Sequence, residues 1–460
     1  MVNMVHLPLI LLQIVSVIQL ASATSYCTLK RPESSSNSVT GSDGVPRDGG
    51  ALRPNEVLAT AWYPGWLGDR FPVANLPWSK YSALTYAFGV TTPDVNVISL
   101  EESNESLLPQ FVAMAHENNV MAFLSIGGWS GSIYFSTAVA TPENRTAFVQ
   151  TILGLVSKYD LDGIDFDWEY PNRQGLECNT ISPADSANFL LFLQELRFTT
   201  QGTNLFFTAA AGIAPFMGPD GAPMADVSEF AKVLNWVAIM AYDIHGSWSP
   251  SAGPNAPLND TCAPSPQGSA ISAVLAWTAA GFPSSQLLLG VAAYGHSFHV
   301  DPTALSDALG ATGGGEWSHP PFDKSRQPLG DSLDSTSTVG SADQCGVPGT
   351  GLPSGVWNFR GLVEKGYLDA DGEPRGDAGI RYMWDECSQT PFIYDEITKA
   401  VISYDDARSF AAKGNFIKDE GIRGFAMWHA VGDYEDMLVD SIIEAMDVCV
   451  EETYNDDDEY

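Results

Sequence analysis

Eight short apolar runs, spaced by segments of helical pattern, constrain this chain more than any other feature. They are VLATAWY (57–63), ALTYAFG (83–89), VMAFLSIGG (120–128), GIDFDWE (163–169), LFFTAAAG (205–212), WVAIMAYD (236–243), LLLGVAAYG (287–295) and GFAMWHA (424–430). Continuous apolar runs, rather than alternating ones, belong to strands buried on both faces, as in parallel sheets covered by helices. The gaps carry helix signals: SLLPQFVAMAHENN, TPENRTAFVQTILGLVSKY with Pro142 in a first turn, SPADSANFLLFLQELRF and GSAISAVLAWTAAG. Eight such repeats predict an α/β fold, a closed (β/α)8 TIM barrel over residues 56–447, with an open doubly wound sheet as the alternative. The seventh and eighth runs lie much farther apart than the rest. Residues 298–390, with Gly-Gly-Gly, Pro-Pro and scattered aromatics, are therefore expected to form a small α+β insertion between strands 7 and 8.

The fourth run is unusual. DGIDFDWEY (162–170) gathers Asp162, Asp165, Asp167 and Glu169 where a buried strand is expected. Side chains alternate along a strand, so Asp165, Asp167 and Glu169 share one face, while Ile164, Phe166 and Trp168 share the other. In a barrel the acidic face lines the interior, and Glu169 comes last, nearest the C-terminal mouth where barrel enzymes build their sites. Crowded carboxylates share protons, and one that keeps its proton near neutral pH can act as a general acid. Glu169 has the reach to be the donor, Asp167 to tune and orient it, and Asp165 to support both from behind; Asp162, at the start of the strand, reads as structural. Two bland readings compete. A metal loop of the EF-hand type requires a glycine at its sixth position and has no place for Phe166 and Trp168. A solvated acidic edge conflicts with the same apolar neighbours.

DGIDFDWE resembles the DxxDxDxE motif of the family 18 glycoside hydrolases, the chitinases. SIGGW (125–129) resembles that family's SxGG strand, MAYD (240–243) its sixth-strand motif and the Trp428 segment its closing aromatic strand. WDE…PFIY (384–394) resembles the exit of the module that raises one cleft wall in one branch. The resemblance spans about residues 56–447. It implies hydrolysis of β-1,4 bonds between N-acetylglucosamine units with retention, assisted by the substrate's own acetamido oxygen. In that mechanism Glu169 protonates the glycosidic oxygen and Asp167 orients the acetamido N–H. Asp165 supports them, the Tyr242 hydroxyl holds the acetamido oxygen, Asp243 contacts the distorted sugar and Met240 lines the pocket. Trp428 resembles the floor of the cleavage site. Tyr63, Trp66, Phe88, Trp129, Tyr170 and Tyr294, at or near strand ends, are candidate sugar-contacting aromatics, against the alternative that barrel aromatics simply pack. For Trp384 and Asp385 the resemblance leaves two roles, wall or packing. An endo-β-N-acetylglucosaminidase acting on N-glycans shares the motif, and a non-catalytic chitin-binding lectin shares the fold; such lectins typically lack the glutamate present here.

The remainder of the chain bounds partners and compartment. A net charge of −34 opposes nucleic acid and anionic membranes. The expected partners are chitin and its oligosaccharides, bound by a monomer with no cofactor and no metal. Residues 1–23 have an apolar core from Leu7 to about Leu20 and close on Ala21-Ser22-Ala23, as a secretory signal peptide does, though the first residues hold no Lys or Arg. A secreted, extracellular protein is expected. Residues 24–55 read as a flexible leader and 448–460 as a solvated acidic tail. Six cysteines without a CxxC spacing favour disulfides over zinc. Nearness in sequence suggests Cys345 with Cys387 and Cys178 with Cys262, which leaves Cys27 to pair with Cys449. Asn104, Asn144 and Asn259 begin glycosylation sequons.

Overall fold

The computed structural model describes residues 26–29, 39–40, 46–47, 56–310, 318–333, 342–348 and 351–452. The expected signal peptide lies outside them. Eight parallel strands form a closed barrel: β1 (Leu58–Pro64), β2 (Ala83–Thr91), β3 (Met121–Gly127), β4 (Gly163–Asp167), β5 (Phe206–Ala211), β6 (Trp236–Ile239), β7 (Leu287–Ala292) and β8 (Gly424–Trp428). Each pairs with its neighbours in chain order, and β8 closes on β1 through Gly424 opposite Leu58. The four expected helices occur at Leu108–Glu117, Pro142–Tyr159, Asp185–Arg197 and Ala270–Ala279. Their ends follow local chemistry. Thr141 caps the second by accepting from the Asn144 N–H, with Pro142 in its first turn, and Ser269 and Ser272 close a capping box on the fourth. Between β1 and β2 the chain makes short 3-10 turns, and the helix after β5 is only Ser228–Ala231.

Alternation along the strands sorts the core into two layers. Leu58, Trp62, Ala83, Ala87, Phe123, Ala210, Trp236, Ala238, Leu288 and Ala426 pack inside the barrel. Their odd-register neighbours, among them Ala61, Leu84, Leu124, Ile164, Phe166, Phe207, Val237, Leu289 and Phe425, belong to the larger cluster that includes the helices. The first layer fills the barrel below the site, and the second attaches the helices.

The insertion is a five-stranded antiparallel sheet, in the order Val356–Asn358, Tyr294–His299, Ala400–Ser403, Thr390–Asp395 and Ile380–Asp385. It begins at Tyr294 and closes at Ser403, so the sheet extends past the expected 298–390 at both ends. The chain leaves β7 almost directly into the module, with only Ala293 between.

The disulfides correct the expected pairing. Cys178 joins Cys345 and Cys262 joins Cys387, with Cα–Cα separations of 5.4 and 6.1 Å. Nearness in sequence failed because the insertion folds back on the barrel: each bond joins a loop after a barrel strand to the module, across 167 and 125 residues. The side chains of Cys27 and Cys449 lie outside the described residues. Their backbones lie in an antiparallel ladder between Tyr26–Leu29 and Cys449–Glu452, with Leu29 opposite Cys449. That ladder occupies part of what the sequence suggests is leader and tail.

Candidate active site

β4 sits between β3 and β5 in a register that puts Asp165 opposite Ser125 on one side and Thr208 on the other. Both are polar residues in otherwise apolar strands, and both point inward. Ser125 Oγ and Trp62 Nε1 donate to one Asp165 oxygen at 2.8 and 3.1 Å, and Thr208 Oγ1 donates to the other at 2.7 Å. Burial raises the Asp165 carboxyl above its ordinary range, and these three donors pull it back.

Asp167 has no such support. It is 5% exposed, and its Oδ1 is buried without a hydrogen-bond partner among the described residues. Burial, then the charge of Glu169, then that of Asp165 push its carboxyl well above the carboxylate range. Glu169 is pushed up to about 7, first by burial and then by Asp243, while the Tyr170 hydroxyl and Arg173 act in the opposite direction. The two carboxyls interact, so the proton belongs to the pair. Ser132 fixes the backbone beneath them: its Oγ accepts from the Glu169 N–H at 3.0 Å and faces the carbonyls of Gly128 and Asp167 at 2.8 and 3.1 Å. Asn179 Nδ2 donates to the Glu169 carbonyl at 2.8 Å.

Two glycines in SIGGW let β3 pass this closely. Gly127 has φ +114°, and a Cβ there would meet the Asp167 carbonyl oxygen at 2.1 Å; at Gly128 (φ +78°) it would meet the Phe88 ring at 2.8 Å. Cis peptides join Ala87 to Phe88, Glu169 to Tyr170 and Trp428 to His429 at the same end of the barrel.

These groups open into a cavity of about 480 Å³, lined by Asp167, Glu169, Tyr170, Met240, Tyr242, Asp243, Trp66, Phe88, Trp129 and Trp428, with Trp62 and others. Phe88 and Trp428 stack at 5.5 Å, and Trp66 lies 6.1 and 6.4 Å from them. Trp66 and Trp129 are half exposed, presenting apolar faces to solvent. Burial and the surrounding carboxylates raise Tyr242, which keeps its hydroxyl protonated and able to donate. Asp243 closes the far side. Its Oδ1 accepts from the Tyr294 hydroxyl at 2.8 Å and lies 2.8 Å from His296 Nε2. Its N–H donates to Asn255 Oδ1 at 3.0 Å.

Among the residues the sequence nominates, Asp165 lies beneath the cavity, and Tyr294 reaches it through Asp243. Tyr63 does not reach it and is corrected here. It is fully buried among Tyr86 and Phe111, and its hydroxyl donates to the Phe71 carbonyl at 2.7 Å. It sits one residue out of phase with the barrel interior, and Trp62 takes the inward position. Trp384 and Asp385 pack the module: Arg408 stacks 3.7 Å from the Trp384 ring, and buried Asp385 accepts from Ser388. Asp162 accepts from the Ala122 N–H at 2.8 Å and lies 3.0 Å from His116. Sequence reading passed over Trp62, Ser132, His296 and Trp248; the last is 58% exposed and packs edge-on to His296.

This barrel, with an acidic strand under an aromatic cleft, is that of a glycoside hydrolase. Residues 60–433 match the family described as "Glycosyl hydrolases family 18", and the chain belongs to that family. It is similar to a "chitinase-like effector" of Moniliophthora roreri, 48% identical over 388 residues, covering 84% of this chain and 92% of that one. It is 29% identical to Chitinase A1 of Niallia circulans, over 68% of this chain and 41% of that protein. The crystal structure of a chitinase from Rhizomucor miehei superposes with a TM-score of 0.73 at 31% identity, covering 85% of this chain and all of that one.

Proposed function

We propose that this protein is a secreted chitinase that cleaves β-1,4 bonds between N-acetylglucosamine units by substrate-assisted, retaining catalysis. One observation carries the reading: Glu169, held to about 7, stands beside Asp167, whose buried Oδ1 lacks a partner, under Trp428 and Phe88. A carboxyl at about 7 holds a proton for the leaving oxygen and can take one back from water. The unpartnered Asp167 oxygen is a ready acceptor for an acetamido N–H, and its carboxylate stabilises the oxazolinium that forms. Tyr242 donates to the acetamido oxygen, Asp243 contacts the strained sugar, and Trp428 supports its apolar face. Asp165, with three donors of its own, does not need to move. The protein acts as a monomer on chitin and its oligosaccharides, outside the cell.

Glu169→Gln tests this. Hydrolysis of an N-acetylglucosamine hexamer is expected to fall by at least about a thousandfold, with oligosaccharide binding retained. Near-normal turnover by that variant refutes the assignment. The Moniliophthora roreri relative is named chitinase-like rather than chitinase, which favours testing a second reading, in which the protein binds chitin oligosaccharides without cleaving them. Wild-type protein that binds the hexamer and leaves it intact would establish that reading instead.

A further inference from the structure

One part of the insertion leaves its sheet and touches the opposite bank of the cleft. Residues 342–348 form a tight hairpin: Ala342 bridges Pro348, Asp343 N–H donates to the Val347 carbonyl, and the Asp343 carboxylate accepts from the N–H groups of Cys345 and Val347. Two contacts fix its position. Cys345 is disulfide-bonded to Cys178, in the loop after β4, next to the Asn179 that holds the Glu169 carbonyl. Gln344 Nε2 donates to Glu102 at 3.1 Å, and Glu102 lines the cavity on the β2 side.

The strand order gives this placement its meaning. β3 lies between β2 and β4, and the residues just after it, Trp129 and Ser130, line the cavity. A segment tied to Glu102 on one side and Cys178 on the other therefore spans the β3 sector. Trp129 remains 52% exposed, so the hairpin does not cover that aromatic face. Nothing in packing the sheet of the module requires such an excursion, because Cys262–Cys387 already ties the module to the loop after β6.

We propose that the hairpin 342–348 is an end stop for the cleft on the Trp129 side. Pinned by the Cys178–Cys345 disulfide, it limits how many N-acetylglucosamine units can be seated there. This inference rests on the chitin-oligosaccharide reading above and adds to it a selection for chain length. A disulfide suits the task, since a polymer pressing on an unpinned loop would displace it. The hydrogen bond to Glu102 alone is a surface contact, with little strength to resist.

The test uses the full chain carrying Glu169→Gln, so that ligands survive, and titrates N-acetylglucosamine oligomers of two to seven units by calorimetry. Affinity is expected to rise with length and then level off. When Cys178→Ser and Cys345→Ser are added, the plateau should move to longer oligomers, with at least a threefold gain for the first unit beyond the original limit. Gln344→Ala, which keeps the disulfide, should move it in the same direction by less and serves as the second probe if the double serine variant folds poorly. A plateau at the same length in both variants, with binding intact, overturns the end stop alone. No binding of any oligomer by any of the proteins overturns the chitin reading and, with it, this inference.

Discussion

Asp165 is the carboxylate on which the site stands, and removing one of its donors should be measurable as lost stability. Thr208→Val is the cleanest perturbation: Thr208 is 1% exposed, valine has nearly its shape, and Oγ1 supplies the 2.7 Å bond to Asp165 Oδ1. A hydrogen bond to a charged group is worth about 1.5–3 kcal/mol, and leaving the acceptor buried and bare forfeits most of it. A loss of about 2 kcal/mol is expected from urea unfolding at pH 7. The pH dependence follows from the direction of the Asp165 shift. A carboxyl raised in the folded state costs stability once pH exceeds its unfolded value, near 4. Loss of Thr208 raises it further, so the deficit should be largest near neutral pH and shrink on acidification. Thr208→Ser, which keeps the donor, should lose under about 1 kcal/mol, with no such dependence. A Thr208→Val deficit below about 0.5 kcal/mol, or one that is flat from pH 7 to pH 4, would refute the claim that these donors stabilise an ionised Asp165.

Two further outcomes follow from buried groups. Burial holds His429 down to about 4, and His319, pressed also by His245, behaves alike. The unfolded chain binds protons there from about 6.5 downward, so stability is complete above that pH and drains as pH falls toward 4, by up to about 3 kcal/mol for His429. Urea midpoints at pH 7 and 4.5 measure this, and His429→Asn should flatten the difference. Gly127→Ala places a Cβ 2.1 Å from the Asp167 carbonyl at φ +114°, and should cost more than about 2 kcal/mol and much of the activity; thermal unfolding beside a turnover assay checks both.

Much of the barrel was legible because buried parallel strands have no solvated face: all but the acidic β4 read as largely apolar runs, and all eight runs proved to be strands. The acidic face of β4 was legible because alternation is local. What failed was phase within a run. In LATAWYP large aromatics stand on both faces, and only Thr60, two residues before Trp62 and on its face, sets Trp62, which faces Asp165, apart from Tyr63, which faces the helices. Ser125 and Thr208 carry the same signal: a lone hydroxyl in an apolar strand marks the inward phase when a buried carboxylate stands next door. The disulfides were not legible at all, because pairing depends on where the insertion returns to the barrel, and that contact is far from both partners in sequence.

The ladder that joins Tyr26–Leu29 to Cys449–Glu452 has a practical consequence. Leu29 is buried in the main core, and its strand packs near Trp78–Lys80, the turn that leads into the start of β2. Both ends of the described chain therefore emerge from the base of the barrel, opposite the mouth. A cross-link placed on the described ladder, at Tyr26–Leu29 or Cys449–Glu452, would hold the protein on a bead or sensor chip with its groove facing away from the surface.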